Sequence, residues 1–95
     1  MDWLPRAARR RRLAAGQRHV VTVITRADCH LCEAAVARLR QLAPEWGFDL
    51  RLVDVDADPA LRDQFSDRVP VIMLDGAEHG FWRLEEDRLR AALRR

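Results

Sequence analysis

A strand–helix–strand pattern in the first half of the chain limits the possible folds most strongly. Residues 19–25, His-Val-Val-Thr-Val-Ile-Thr, are apolar or β-branched at nearly every position, which is typical of a central strand covered on both faces. Apolar residues then recur at helical spacing over 35–43, and this helix is expected to end near Pro44 and Gly47. Residues 48–55 are predicted as a second strand, and a helical crossover of roughly 20 residues predicts that the two strands are parallel.

A β-hairpin is predicted in the second half of the chain. Residues 71–74 and 77–82 have the composition of strands, and Asp75-Gly76 lies between them. Asp-Gly is a typical dipeptide of type I′ turns because both of its residues tolerate a positive φ angle. We therefore expect these two strands to be antiparallel.

Two further helices complete the predicted architecture. Asp58-Pro59 supplies an N-cap followed by a proline at the first helical position, which favours a short helix as far as about Phe65. Residues 84–95 are predicted as the last helix, with acidic residues in its first turn and arginines at its end. The predicted order is β-α-β-α-β-β-α, an α/β fold with a four-stranded mixed sheet flanked by helices.

The charged residues divide the chain into a basic extension and a folded domain. A length of 95 residues is enough for one domain. Residues 1–18 hold six arginines against Asp2 and carry +5, whereas the whole chain carries only +2, so the remainder carries −3. We therefore expect a flexible or loosely helical extension over 1–18 and a domain over 19–95, without a generally basic surface for specific nucleic-acid binding.

The distribution of apolar residues bears on the location of the protein. The apolar runs are too short for a membrane span, which needs roughly 20 residues, and the N-terminus lacks the apolar core of a secretory signal. A cytoplasmic location is therefore expected. In a reducing compartment the two cysteines are expected to be catalytic, redox-sensing or metal-binding rather than a permanent disulfide.

Cys29 and Cys32 lie where the first strand is followed by the first helix. Unpaired N–H groups at a helix N-terminus stabilise a nearby thiolate, and Cys29 is placed to gain most from them. Cys32 is one helical turn further along, within reach of a disulfide but more shielded. This spacing predicts thiol-disulfide exchange, in which Cys29 attacks and Cys32 resolves the mixed disulfide. Arg26 would favour the Cys29 thiolate if it folds back, and Asp28 would oppose it.

Two alternatives to a redox enzyme stay open at this point. A Cys-x-x-Cys pair is also half of a structural zinc site, but such sites usually need four ligands, and only the scattered His19, His30 and His79 are present besides. A zinc ion shared across a dimer interface would complete the set. The other alternative is a non-enzymatic binding module, and for a single chain we predict no metal site.

Two motifs carry a family resemblance. Cys-His-Leu-Cys at 29–32 follows a strand, and Val69-Pro70 stands about 40 residues later at the start of the hairpin. Over about 19–95 the chain resembles the glutaredoxin and NrdH-redoxin branch of the thioredoxin superfamily. It is most similar to short glutaredoxin-like proteins whose hairpin ends in Phe-Trp-Arg, here 81–83.

This resemblance implies a thioredoxin fold and a glutaredoxin-like electron carrier that reduces a protein or small-molecule disulfide. It also implies that no cofactor is bound and that glutathione, another low-molecular-weight thiol or a reductase resets the dithiol. In that superfamily the proline matching Pro70 is cis and faces the dithiol, and the backbone of the preceding residue, here Val69, pairs with the thiol substrate. A cis bond before proline costs only about 0.5 to 1 kcal/mol, which agrees with that assignment.

Residues around the dithiol are predicted to bind substrate, namely Arg26, His30, Leu31, Arg68, Val69 and Pro70. His30 either carries a positive charge that favours the thiolate or points to solvent. Arg68 is predicted to meet a substrate carboxylate by charge. Classical glutaredoxins have Pro-Tyr between the cysteines, Thr in place of Arg68, and a glycine-rich segment that holds glutathione where this chain has Gly-Phe-Trp-Arg. These departures place glutathione binding in question.

Overall fold

Residues 16–94, which the computed structural model describes, contain four strands and three α-helices. The strands are β1 (His19–Thr25), β2 (Phe48–Asp54), β3 (Val71–Leu74) and β4 (Ala77–Phe81), and the helices are α1 (His30–Trp46), α2 (Pro59–Phe65) and α3 (Glu86–Leu93). Single 3₁₀ turns at Val55–Ala57 and Ser66–Arg68 precede and follow α2. The predicted order β-α-β-α-β-β-α is confirmed.

The strands form one mixed sheet in the order β2-β1-β3-β4. β1 is parallel to β2 and antiparallel to β3, and β3 and β4 form the antiparallel hairpin. Ile24 lies opposite Val53 on one side and Val71 on the other, so β1 is the central strand that its composition predicts. The segment that carries the cysteines therefore leaves from the middle of the sheet.

Both faces of the sheet are covered by helices. On one face α1 and α3 contribute Leu39 and Leu89 to a cluster that includes Val21 of β1. On the other face Phe65 of α2 packs in a cluster with Ile24. These five side chains are fully buried, and the burial of each contributes on the order of 1.5–3 kcal/mol. Burial on both faces explains why β1 is apolar at nearly every position.

Helix α1 continues through Pro44 and ends at Trp46, which agrees with the end predicted near Pro44 and Gly47. The chain leaves the helix at Gly47, which has a φ of 74° and donates its backbone N–H to the carbonyl oxygen of Ala43 at 2.9 Å. Glycine adopts this left-handed conformation at little cost, so it provides the C-cap of the helix.

The other predicted turns are confirmed, and the second strand of the hairpin is shorter than predicted. The carboxylate of Asp58 accepts from the backbone N–H of Ala60 at 2.8 Å, as expected of an N-cap. Asp75 and Gly76 have φ angles of 50° and 88°, which suit a type I′ turn. The strand predicted to reach residue 82 ends one residue earlier, because Trp82 has a φ of 69° and breaks the extended conformation.

The predicted basic extension over 1–18 lies outside the described residues except for its last three. Among these, Arg18 donates to the carbonyl oxygen of Phe48 at 3.1 Å and pairs with the Asp49 carboxylate at 3.0 Å. Arg18 is therefore attached to the β2 edge of the sheet. Within 16–94 no helix is both long enough and apolar enough to cross a bilayer.

Candidate active site

Cys29 is the N-cap residue of helix α1. Its backbone is extended, with a φ of −115° and a ψ of 110°, and its Sγ accepts a hydrogen bond from the backbone N–H of Cys32 at 3.2 Å. The thiol thus occupies the place that a serine or aspartate oxygen fills in most helix caps. It is half-buried and unoxidised, so a helix N–H stabilises a sulfur that solvent also reaches.

Cys32 lies beneath Cys29 in the first turn of α1. It is also an unoxidised thiol, and only 1% of its surface is exposed. Burial raises the pKa of the Cys32 thiol, and the contact with Cys29 raises this pKa further, whereas hydrogen bonds from the Thr25 side chain and the Arg26 backbone act in the opposite direction. The pair therefore consists of an accessible sulfur at Cys29 and a shielded sulfur at Cys32, and the pKa of Cys32 is raised above the ordinary value of a thiol.

The guanidinium of Arg26 is held beside the dithiol by two other segments. It donates to both carboxylate oxygens of Asp56 at 3.0 and 3.1 Å and to the hydroxyl of Ser66 at 3.1 Å. This hydrogen bonding raises the pKa of Arg26 and lowers the pKa of Asp56. Negative charge on Cys29 also raises the pKa of Arg26, so the guanidinium lies within electrostatic reach of that sulfur.

The two residues between the cysteines both face outward. The His30 side chain is fully exposed, and its Nδ1 lies 3.8 Å from the carboxylate of Glu33. Of the two possibilities that the sequence left open for His30, a charge beside the thiolate or a side chain in solvent, the structure shows the side chain in solvent. Leu31 is half-exposed and presents an apolar side chain at the same surface. Asp28, directly before Cys29, has a φ of 57° and turns the chain from β1 into α1.

The peptide bond between Val69 and Pro70 is cis, as the family resemblance implied. Pro70 is buried, and its carbonyl oxygen accepts the backbone N–H of Trp82 at 2.8 Å. Ile24 lies opposite Val71, so Pro70 is next to the end of β1 from which the dithiol segment departs. The sheet register therefore brings the cysteines and this proline to the same end of the molecule.

Arg68 is bonded within the protein. Its Nη1 donates to the carboxylate of Glu78, its Nη2 donates to the carbonyl oxygen of Gln64 at 2.9 Å, and its guanidinium lies 5.4 Å from the ring centroid of Phe65 and 5.9 Å from that of Phe81. In the structure Arg68 thus donates to the carboxylate of Glu78, a residue of β4. This contact ties the segment before Pro70 to the hairpin.

Besides Thr25, which hydrogen-bonds Cys32, three residues near the dithiol were not among the predicted site residues. Asp56 and Ser66 position Arg26, and Leu52 lines a shallow depression of about 320 Å³ that Cys32 also lines. The alternation of apolar residues in β2 was the only sequence signal that included Leu52, and it indicated a strand rather than a site. The exposure of Leu52 shows that α1 does not cover the β2 edge completely.

For zinc to bind at the dithiol, further ligands would have to come from outside the described residues, as in a site shared across a dimer interface. Over 16–94 no three or more His, Cys, Asp or Glu side chains come together in a group suited to a metal ion. Cys29 and Cys32 have hydrogen-bond partners of their own within the helix cap.

Sequence comparisons agree with this geometry. Residues 20–94 match the family described as Glutaredoxin-like domain (DUF836). An uncharacterized protein of Mycobacterium tuberculosis is 44% identical over 80 residues, which cover 79% of this chain and 82% of that protein. An uncharacterized protein of Mycobacterium bovis is similar to the same extent, with 44% identity over 80 residues.

Three solved structures share the architecture. A Nitrosomonas europaea protein determined by NMR has a TM-score of 0.73 at 30% identity, covering 86% of this chain and 99% of its own. An X. campestris protein determined by X-ray crystallography has a TM-score of 0.63 at 37% identity, with coverages of 78% and 95%. Fasciola hepatica thioredoxin has a TM-score of 0.60 at 23% identity, with coverages of 81% and 79%. At that identity the thioredoxin shows the fold alone, and it confirms the predicted thioredoxin fold.

Proposed function

The chain belongs to the glutaredoxin-like domain family. We propose that it is a thiol-disulfide oxidoreductase that carries electrons through Cys29 and Cys32. The single observation that carries the proposal is the hydrogen bond from the Cys32 N–H to the Cys29 Sγ at 3.2 Å. It places an accessible sulfur at the positive end of a helix and a shielded sulfur one turn away. This is the arrangement that thiol-disulfide exchange requires.

The proposed reaction has two exchange steps. The Cys29 thiolate attacks one sulfur of a substrate disulfide, a Cys29–substrate disulfide forms, and the other substrate thiolate leaves and takes up a proton. Cys32 then loses its proton and attacks the Cys29 sulfur, which releases the second substrate thiolate to be protonated. The substrate gains two electrons and two protons, and the protein is left with a Cys29–Cys32 disulfide.

Residues next to the dithiol have supporting roles in this proposal. Arg26, fixed by Asp56 and Ser66, holds a positive guanidinium within electrostatic reach of Cys29. The backbone of Val69, before the cis-proline, aligns the substrate segment as the family resemblance implies.

The proposal requires an external source of electrons and a disulfide substrate. We expect glutathione, another low-molecular-weight thiol or a thiol reductase to return the disulfide to the dithiol, with no cofactor bound to the chain. A cytoplasmic location suits this cycle because a reducing compartment supplies such thiols. The partners are a disulfide-containing protein or small molecule and its recycling system.

A direct test compares the wild type with Cys29→Ser. The protein is mixed with dithiothreitol and a generic disulfide substrate, and disulfide reduction is followed over time. The wild type should accelerate the reaction, whereas the variant should show only the uncatalysed background rate. Circular dichroism confirms that the variant is folded, because serine also caps helices well. A Cys29→Ser variant that is as fast as the wild type would contradict the proposal.

A further inference from the structure

Exposed apolar side chains lie toward the dithiol end of the sheet. Within 16–94 the exposed large hydrophobic residues are Leu31 at 50%, Leu52 at 44%, Phe81 at 43% and Trp82 at 53% of their surface. Leu31 lies between the cysteines, and Leu52 lines the depression beside Cys32. Phe81 lies opposite Val71, which follows Pro70. All four therefore lie at the dithiol end of the sheet or close to it.

Trp82 is fixed in its exposed position. Its backbone N–H donates to the carbonyl oxygen of Pro70 at 2.8 Å, and its indole Nε1 donates to the carbonyl oxygen of Asp67 at 3.1 Å. The ring meets Phe81 edge to face, with centroids 5.0 Å apart and an interplanar angle of 83°. A φ of 69° is strained for a residue with a bulky side chain, and such strain is concentrated at functional sites. Together the two rings form an aromatic platform, Phe81 and Trp82, next to the cis-proline.

The two arginines that the sequence placed at the substrate site are already paired. Arg26 binds the carboxylate of Asp56 with two hydrogen bonds, and Arg68 binds that of Glu78. A small thiol that depends on its carboxylates, as glutathione does, would have to displace these internal partners. Neither of these two guanidiniums is therefore free for a substrate carboxylate, whereas the exposed aromatic platform offers apolar contact.

Exposed apolar side chains lie at both edges of the sheet. Leu52 belongs to β2 and the aromatic platform to the end of β4, the two edges of the sheet. Three strand spacings separate these edges, which is roughly 14 Å. An extended polypeptide covers that distance with about four or five residues, since each spans at most about 3.3–3.6 Å.

We propose that Trp82, supported by Phe81, selects the substrate of the dithiol, and that this substrate is an extended polypeptide disulfide with an apolar side chain beside its cysteine. The inference rests on the proposed function, because it names the substrate class of the same site. The disulfide is presented to Cys29 from the side of Val69 and Pro70, and the apolar neighbour packs on the indole. Glutathione, which has no apolar neighbour, is a poorer substrate.

The test uses three mixed disulfides of thionitrobenzoate, whose release is coloured. One carries a short peptide with leucine beside its cysteine, one carries the same peptide with serine there, and one carries glutathione. We expect the wild type to favour the leucine peptide in kcat/KM by about tenfold over both others. Trp82→Ala should reduce this preference to below about twofold, mostly through KM, whereas Trp82→Phe should keep most of it.

Two controls separate apolar recognition from other effects. Arg83→Ala changes the exposed neighbour of Trp82 and should leave the preference unchanged, whereas its loss in that variant would indicate recognition by charge. The preference should also persist between roughly 0.05 and 0.5 M salt, since added salt screens exposed charges but not apolar contacts.

The outcomes distinguish this inference from the proposed function. If the wild type reduces all three disulfides without favouring the leucine peptide, or if Trp82→Ala keeps the preference, the substrate inference is wrong while the oxidoreductase stands. If the wild type reduces none of them, both proposals are wrong.

Discussion

The backbone N–H of Cys32 donates to the Sγ of Cys29 at 3.2 Å, so the first residue of the dithiol caps the helix that carries the second. One hydrogen bond thereby joins the two residues of the dithiol at the N-terminus of α1. Cys29 is half-buried and Cys32 is buried, although they are only three residues apart. Because of this difference in access, the proposed reaction assigns the attack on the substrate to Cys29 and the release of the substrate to Cys32.

Cys32→Ser should halt the proposed reaction at the mixed disulfide. Cys29 can still attack the substrate, but no second thiol remains to release it. Intact-protein mass spectrometry in the absence of other thiols should show one substrate equivalent bound to each chain. Cys29→Ser is the matched control and should bind none. A persistent adduct on Cys29→Ser would mean that the two roles are exchanged.

The release step should accelerate as the pH rises. Burial raises the pKa of Cys32, and this cause persists in the mixed disulfide, where Cys29 no longer carries charge. Because only the thiolate attacks, its fraction grows about tenfold per pH unit below that pKa. Rapid quenching between about pH 6 and pH 8 should therefore show a shortening lifetime of the mixed disulfide. A lifetime that does not change with pH would contradict the assignment of Cys32 as the resolving thiol.

Local signals made the framework of the site predictable. Cys29 was expected at a helix start because an apolar strand and a helical pattern meet there, and the structure makes it the N-cap. Asp58 before Pro59 likewise acts within a few residues of chain, so its capping effect does not depend on the rest of the fold. Asp75 before Gly76 gives the predicted turn, but its buried carboxylate also accepts from the Val20 backbone N–H, a distant contact that the turn motif does not predict.

Contacts between distant segments were not predictable in the same way. The sequence named Arg26 and Arg68 as charges near the site, but their partners Asp56 and Glu78 are 30 and 10 residues away. Which carboxylate an arginine reaches depends on how the 3₁₀ turns and β4 pack around α2. The outward position of His30, by contrast, follows from helical spacing, because the buried residues of α1, Cys32, Ala35, Leu39 and Leu42, share the opposite face.

Gly47→Ala should destabilise the protein through the backbone alone. A Cβ at this position meets no other atom within 4 Å, so no clash contributes. A φ of 74° costs a residue with a Cβ about 1–2 kcal/mol. Thermal denaturation should show a Tm lower by about 4–8 °C for each kcal/mol lost, given a domain of this size.

Gly80→Ala is the matched control for that measurement. An added Cβ at Gly80 comes no closer than 3.8 Å to the Arg88 guanidinium, which is an ordinary contact, and Gly80 does not have a positive φ. Its Tm should change much less than that of Gly47→Ala. Equal losses in the two variants would show that the left-handed cap is not the cause.

Glu86 at the start of α3 should contribute stability at neutral pH that disappears in acid. Arg38 of α1 donates to both of its carboxylate oxygens, at 2.8 and 2.9 Å, and this pairing lowers the pKa of Glu86. A carboxyl whose pKa is lower in the folded state stabilises that state above its unfolded pKa of about 4.3 and loses this effect as the pH falls through the folded pKa. Glu86→Gln should therefore lower the Tm at pH 7 and have little effect once the wild-type carboxyl is protonated.

Asp87→Asn serves as the control for the pairing of Glu86, because Asp87 is in the same helical turn and neutralising it changes the interaction with the helix dipole equally. Denaturation scans of both variants at several pH values distinguish the two contributions. The loss for Glu86→Gln should exceed that for Asp87→Asn at pH 7, and added salt should reduce it, since both partners are exposed. Equal losses at every pH would mean that the helix dipole, rather than the contact between α1 and α3, accounts for the effect of Glu86.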